Sequence, residues 1–146
     1  MNTSLLPALT TPVLERVRVL EALLRERLQV VPVTEHLFHA GVYARTIALQ
    51  PGHVVTGALM RRSTVLIVQG DVEVFTGEEV LHVKGYRILA GSAGRKSVFY
   101  ARDNSTLTMI FATSVQSVEA AEREFTTEHA LLASHDNHNV VVMTGE

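Results

Sequence analysis

Two periodicities divide the chain. Near its start, Val13, Val17, Leu20 and Leu24 recur at helical spacing, with Glu15, Arg18, Glu21 and Arg25 on the other side. Thr11 stands where an N-cap is expected, and Pro12 follows where its missing N–H costs nothing. The spacing predicts an amphipathic helix over 11–29, its one apolar stripe laid against a sheet or a partner subunit. From Val30 the texture changes to short β-rich runs. The candidate strands are Val42–Leu49, His53–Met60, Thr64–Val68, Val72–Phe75, Val80–Val83, Tyr86–Leu89, Ser97–Ala101 and Thr106–Ala112. Leu107, Met109 and Phe111 alternate around Thr108, which puts one face of the last strand in a core. Val65–Val68 is apolar on both faces and reads as a central strand.

Turn signals separate these runs at Pro51-Gly52, Gly70-Asp71, Gly77-Glu78, Lys84-Gly85, Gly91 through Gly94, and Asp103-Asn104. Strands at spacings of about ten residues, with no helix between them, predict an all-β fold: an antiparallel sandwich or barrel of roughly eight or more strands. Ser117–Phe125 reads as a second short helix capped by Ser117, with Val118, Ala121 and Phe125 on one face. One domain over 1–146 is expected: a loosely held lead-in 1–10, the helix 11–29, the barrel 30–113, a second helix 114–128, and a mobile tail 129–146 carrying His129, His135 and His138.

Composition narrows the function classes. The chain has 146 residues, 47% of them apolar and 19% charged, which suits a globular domain with a real core. It has no cysteine, so disulfides, thiolate metal sites and cysteine nucleophiles are excluded. A formal charge of −2 creates no field that would draw it to nucleic acid or anionic lipid, and no apolar run approaches the ~20 residues of a membrane span. Met1-Asn2-Thr3-Ser4 lacks the basic start of a signal peptide, and a cytoplasmic location is expected.

The segment Pro51–Asp71, PGHVVTGALMRRSTVLIVQGD, resembles the first motif region of the cupin superfamily, and Gly85–Tyr100, GYRILAGSAGRKSVFY, is similar to the second. From Pro32 to Phe125 the chain also resembles small cupin-like proteins of tailed-phage genomes, through TEHLFHAGVYARTI and the closing VEAAEREF. The resemblance implies a cupin-like jelly roll with an N-terminal amphipathic helix and a short C-terminal helix, and it points to a phage origin. Family members bind one divalent metal through two histidines and a glutamate of the first motif and a histidine of the second. The matching positions here hold Ala58, Met60, Ser63, and Lys96 or Ser97, none a suitable donor. No metal and no cofactor are expected.

The residues that replace the ligands suggest other chemistry. Arg61 and Arg62, with Arg95 and Lys96, would put cations at the barrel mouth, where guanidinium groups fork carboxylate or phosphate. Tyr43, Arg45, Tyr86, Arg87 and Tyr100 would add stacking and hydrogen bonds nearby. The bland alternative makes these arginines and lysines solvated loop residues. Glu35, His36, His39, His53 and His82 invite a substitute metal site, although surface histidines are the commoner reading. His53 with Tyr86 or Tyr100 would imitate the base and acid of metal-free cupin epimerases. P-loop, dinucleotide and nucleophile-elbow motifs are missing.

The expected function is therefore non-enzymatic: a metal-free barrel binding a small anion, a nucleotide or sugar phosphate, through Arg61, Arg62, Arg95, Lys96, Tyr86, Tyr100 and His53. The alternatives are a virion accessory or assembly protein, located in the host cell or the virion, and an isomerase-type enzyme. The expected partner is a second copy, in a homodimer or higher homo-oligomer, with virion proteins as further candidates and neither nucleic acid nor membrane.

Overall fold

The computed structural model describes residues 5–27, 32–77, 79–132 and 139–143. Its elements in chain order are β1 (Leu5–Leu6), α1 (Thr11–Arg25), β2 (Thr34–His39), β3 (Val42–Leu49), β4 (Val54–Thr56), β5 (Thr64–Phe75), β6 (Val80–Gly91), β7 (Val98–Ala101), β8 (Ser105–Ala112), α2 (Val118–Phe125), a 3-10 turn (His129–Leu131) and β9 (Asn139–Met143). The strand order is β1-β6-β5-β8-β3-β2-β9, with β7 joined to β5 and β4 joined to β7.

Two of the expected turns are bends inside long strands. Gly70 lies opposite Gly85 in the β5–β6 ladder, and both have left-handed φ, 131° and 100°. Before the bend β5 pairs with β8 from Val65 to Gln69; after it β5 pairs with β7 from Val72 to Phe75. One hairpin thus belongs to two layers, which wrap around a common core. Four of the expected short strands merge into two for this reason.

The sheet is mixed rather than antiparallel. β1 runs parallel to β6, and β9 runs parallel to β2. Parallel neighbours need long crossovers, and both outer strands come from segments read as unstructured. Leu6 is buried at the end of the lead-in, and its O accepts from Ser92 N at 2.9 Å. Residues 139–143 of the expected tail form β9, while His135 and His138 lie outside the described residues.

α1 ends at Arg25, short of residue 29. Thr10 occupies its N-cap and Pro12 falls in the first turn. Val13 and Val17 are buried against their own chain, so this part of the stripe serves the monomer. α2 begins as expected, with Ser117 Oγ accepting from Ala120 N at 3.2 Å. Its Phe125 completes an aromatic group with Tyr43, Phe38 and Phe111; Tyr43 stands 4.9 Å from Phe38, 5.6 Å from Phe111 and 6.5 Å from Phe125 between ring centroids. Tyr43 Oη meets His36 Nδ1 at 2.6 Å, and burial raises the Tyr43 phenol above its ordinary range.

Candidate functional site

A cavity of 330 Å³ opens between the layers, with β3, β5 and β8 on one side and β4, the Gly57–Met60 segment and Phe99 on the other. Glu21, Leu24 and Arg25 of α1 line it, as do Phe125, Glu128 and Leu132, and Glu21 and Glu128 meet at the Lys96 ammonium. Most of the wall is apolar, with Ile47, Val55, Leu66, Leu107 and Met109 among its lining. Ala58, Met60 and Lys96 also line it, whereas Ser63 is exposed and does not.

Lys96 is almost fully buried, and its charge is met inside the chain. Nζ lies 2.9 Å from Glu21 Oε2 and 2.9 Å from Glu128 Oε1, and it donates to Gly57 O at 2.9 Å. The same carboxylates reach outward: Glu21 accepts from Thr56 Oγ1 at 3.0 Å and Glu128 from Leu59 N at 2.8 Å. Burial pushes the Glu128 carboxyl up, but the Leu59 N–H, Lys96 and Arg18 together pull it further down, below the usual carboxylate range. Arg45, also in the lining, pairs with the buried Glu122 at 3.1 Å and lies 5.7 Å from the Phe125 ring centroid. A divalent ion does not fit this centre: of the positions matched to cupin ligands, those that line the cavity hold Ala58, Met60 and the Lys96 ammonium, while Ser63 and Ser97 do not line it.

Arg95 differs. It lines the cavity at 4% exposure, and among the described residues no carboxylate pairs with it. Its terminal nitrogens donate to Ser97 Oγ at 3.1 Å and Thr64 Oγ1 at 3.0 Å, while Nε is buried without a partner. Burial lowers its pKa to about 10, which leaves it charged at neutral pH. The guanidinium fits only because residue 91 is glycine: a Cβ there would stand 2.5 Å from Nε and 2.8 Å from Thr64 Oγ1.

The other expected site residues do not join this cavity. Arg61 reaches Arg123 O at 3.3 Å on the surface. Arg62 pairs with Glu124 and lies over the Phe111 ring, 5.1 Å from its centroid. Tyr86 is 61% exposed on β6, and Tyr100 stands opposite Glu73 in the β5–β7 ladder. His53 bonds locally to Gln50 N at 3.3 Å. None of these five lines the cavity. Glu124 of α2 holds Arg62 outside, whereas Glu128, just beyond α2, pairs with Lys96 at the cavity. His82 pairs with Asp71 at 2.5 Å on the surface, and this hydrogen bond holds the Asp71 carboxyl below its usual range. Among the described residues no three His, Asp or Glu side chains are grouped to hold a metal.

No family model and no curated protein matches the sequence. Solved structures do. Ectoine synthase from P. lautus superposes with a TM-score of 0.51 at 14% identity, over 67% of this chain and 76% of that one. An RmlC-like cupin family protein with a double-stranded β-helix fold from Methanocaldococcus jannaschii gives 0.48 at 17% identity, over 60% and 85%. A cupin superfamily protein from Desulfitobacterium hafniense gives 0.45 at 13% identity, over 53% and 72%.

Proposed function

We propose that this chain, whose fold is that of ectoine synthase and similar to the cupin jelly roll, is a binding protein whose metal-free barrel takes a small anionic molecule of the nucleotide or sugar phosphate class. One observation carries this reading: Arg95 is buried, charged and without a carboxylate among the described residues, in the wall of a cavity of 330 Å³. A desolvated cation gains several kcal/mol from a counter-ion that enters its surroundings. The volume lies near the lower bound of ~300 Å³ for small-molecule sites, which suits a monophosphate and not a dinucleotide. The apolar wall suits a base or the apolar face of a sugar.

The site so defined is Arg95 with the cavity wall, and Arg61, Arg62, Tyr86, Tyr100 and His53 drop out of it. The epimerase reading loses its support with them, since His53 and both tyrosines stand outside the cavity. The assembly reading keeps one observation in its favour, the half-exposed apolar side chains on the outer sheet face, among them Val65, Ile88 and Val142.

The test is thermal unfolding of the full chain with AMP, ribose 5-phosphate and inorganic phosphate. At least one of the three is expected to raise the melting temperature. Arg95→Met should abolish the rise and Arg62→Ala should preserve it. If no anion shifts the transition, the assembly reading replaces this one.

A further inference from the structure

Outward-facing positions of the larger sheet line up across strand register. Ala90, Val65, Ile110, Ala44 and Leu37 are successive partners from β6 through β5, β8 and β3 to β2. Leu5 of β1 and Val142 of β9 extend this row to both edges. A second row reads Ile88, Ile67, Thr108, Thr46, Glu35 and Val140, and a third Tyr86, Gln69, Thr106 and Ala48. Glu35 is the one charged residue in the three rows. The apolar members are far from covered: Val65 is 44% exposed, Val142 51% and Ile88 53%. Single exposed apolar residues are ordinary on a protein surface, but a continuous field across seven strands is not.

We infer that this face is the contact between two copies of the chain, packed sheet on sheet about a two-fold axis. Each position covers ~33 Å² of sheet from the strand spacing and rise, so the three rows span about 550 Å². Two copies bury about twice that, which meets the ~1,000 Å² that a specific interface needs. Facing β-sheets pack ~10 Å apart with strands crossing at about 30°, an arrangement that lays apolar rows over apolar rows. The charge pattern selects the same occupant. The rows hold no lysine or arginine for a lipid surface or an acidic partner, and one glutamate is too little to recognise a basic one. With the axis on β8, the middle strand, each Glu35 lies about 10 Å from it. The two carboxylates then stand ~20 Å apart, well beyond the screening length of ~8 Å.

Sedimentation velocity on the full chain tests this. A species of twice 16.0 kDa is expected at micromolar concentration. Ile67→Lys should raise the dimer dissociation constant at least ~30-fold, the scale of a buried interface anchor. Leu23→Lys, on the exposed side of α1, should leave it unchanged. Because the chain has no cysteine, Thr108→Cys gives a second readout independent of the lysine variant's folding. A bismaleimide with a spacer of about 8 Å should link two copies through this position near the axis. A monomer at micromolar concentration overturns the inference, as does a dimer that resists Ile67→Lys, dissociates with Leu23→Lys, or is not linked through Thr108→Cys.

Discussion

Arg95 and Lys96 are adjacent and both buried, yet they answer different questions. Lys96 sits between two carboxylates, so Lys96→Met should leave Glu21 and Glu128 facing an apolar wall and cost about 3–5 kcal/mol in urea unfolding. Arg95→Met removes a cation that no carboxylate offsets among the described residues, and its stability should change by less than ~1 kcal/mol. Gly91→Ala tests the same group from below: its Cβ collides with the guanidinium, so the anion-induced melting shift should vanish as it does in Arg95→Met. Glu128 adds a pH dependence. Its folded pKa is depressed, so its contribution is complete above the unfolded value of ~4.3 and disappears as pH falls through the lower folded value. Between pH 7 and acid, the urea midpoint of Glu128→Gln should therefore fall less than that of the parent. The position of Arg95 and Lys96 behind the glycine-rich turn was legible in the sequence. Their partners were not, because Glu21 and Glu128 lie 75 and 32 residues from Lys96, and no local pattern records a pairing over that distance.

At the level of elements, the bend between layers depends on two opposed glycines with unequal surroundings. A Cβ on Gly70 would run into Ser105 Oγ and come within 2.7 Å of Asn104 O, while one on Gly85 meets nothing within 4 Å. Gly85→Ala should cost the ~1–2 kcal/mol of a left-handed alanine. Gly70→Ala should cost distinctly more, read as the larger drop in denaturation midpoint. From the sequence both glycines look like turns, since a bend and a turn use the same residue for the same freedom of φ. β2 escaped for another reason. Its inward positions are Thr34, His36 and Phe38 and its outward ones Glu35, Leu37 and His39, so the hydrophobic alternation that marks a strand is blurred. By contrast, Val42–Leu49 and the helix behind Ser117 were readable to the residue or nearly so, because a turn or a cap marks their ends.

For the whole molecule, the turn spacing pointed to the predominantly β architecture that the chain has, while the two parallel edges could not be read from hairpin signals, which report only neighbours in sequence. The outer strand β9 joins β2 across 100 residues, from His39 to Asn139. Pairing over such separations is slow, because a large loop must close before any contact rewards it. During synthesis the ribosome adds about 5–20 residues each second, so β2 waits roughly 5–20 s for its last neighbour to be made. Throughout that interval its edge, with Leu37 beside it, is open to any other nascent chain. The finished protein's sheet is thus most vulnerable before the protein is complete, and its yield should depend on how crowded the translating polysomes are.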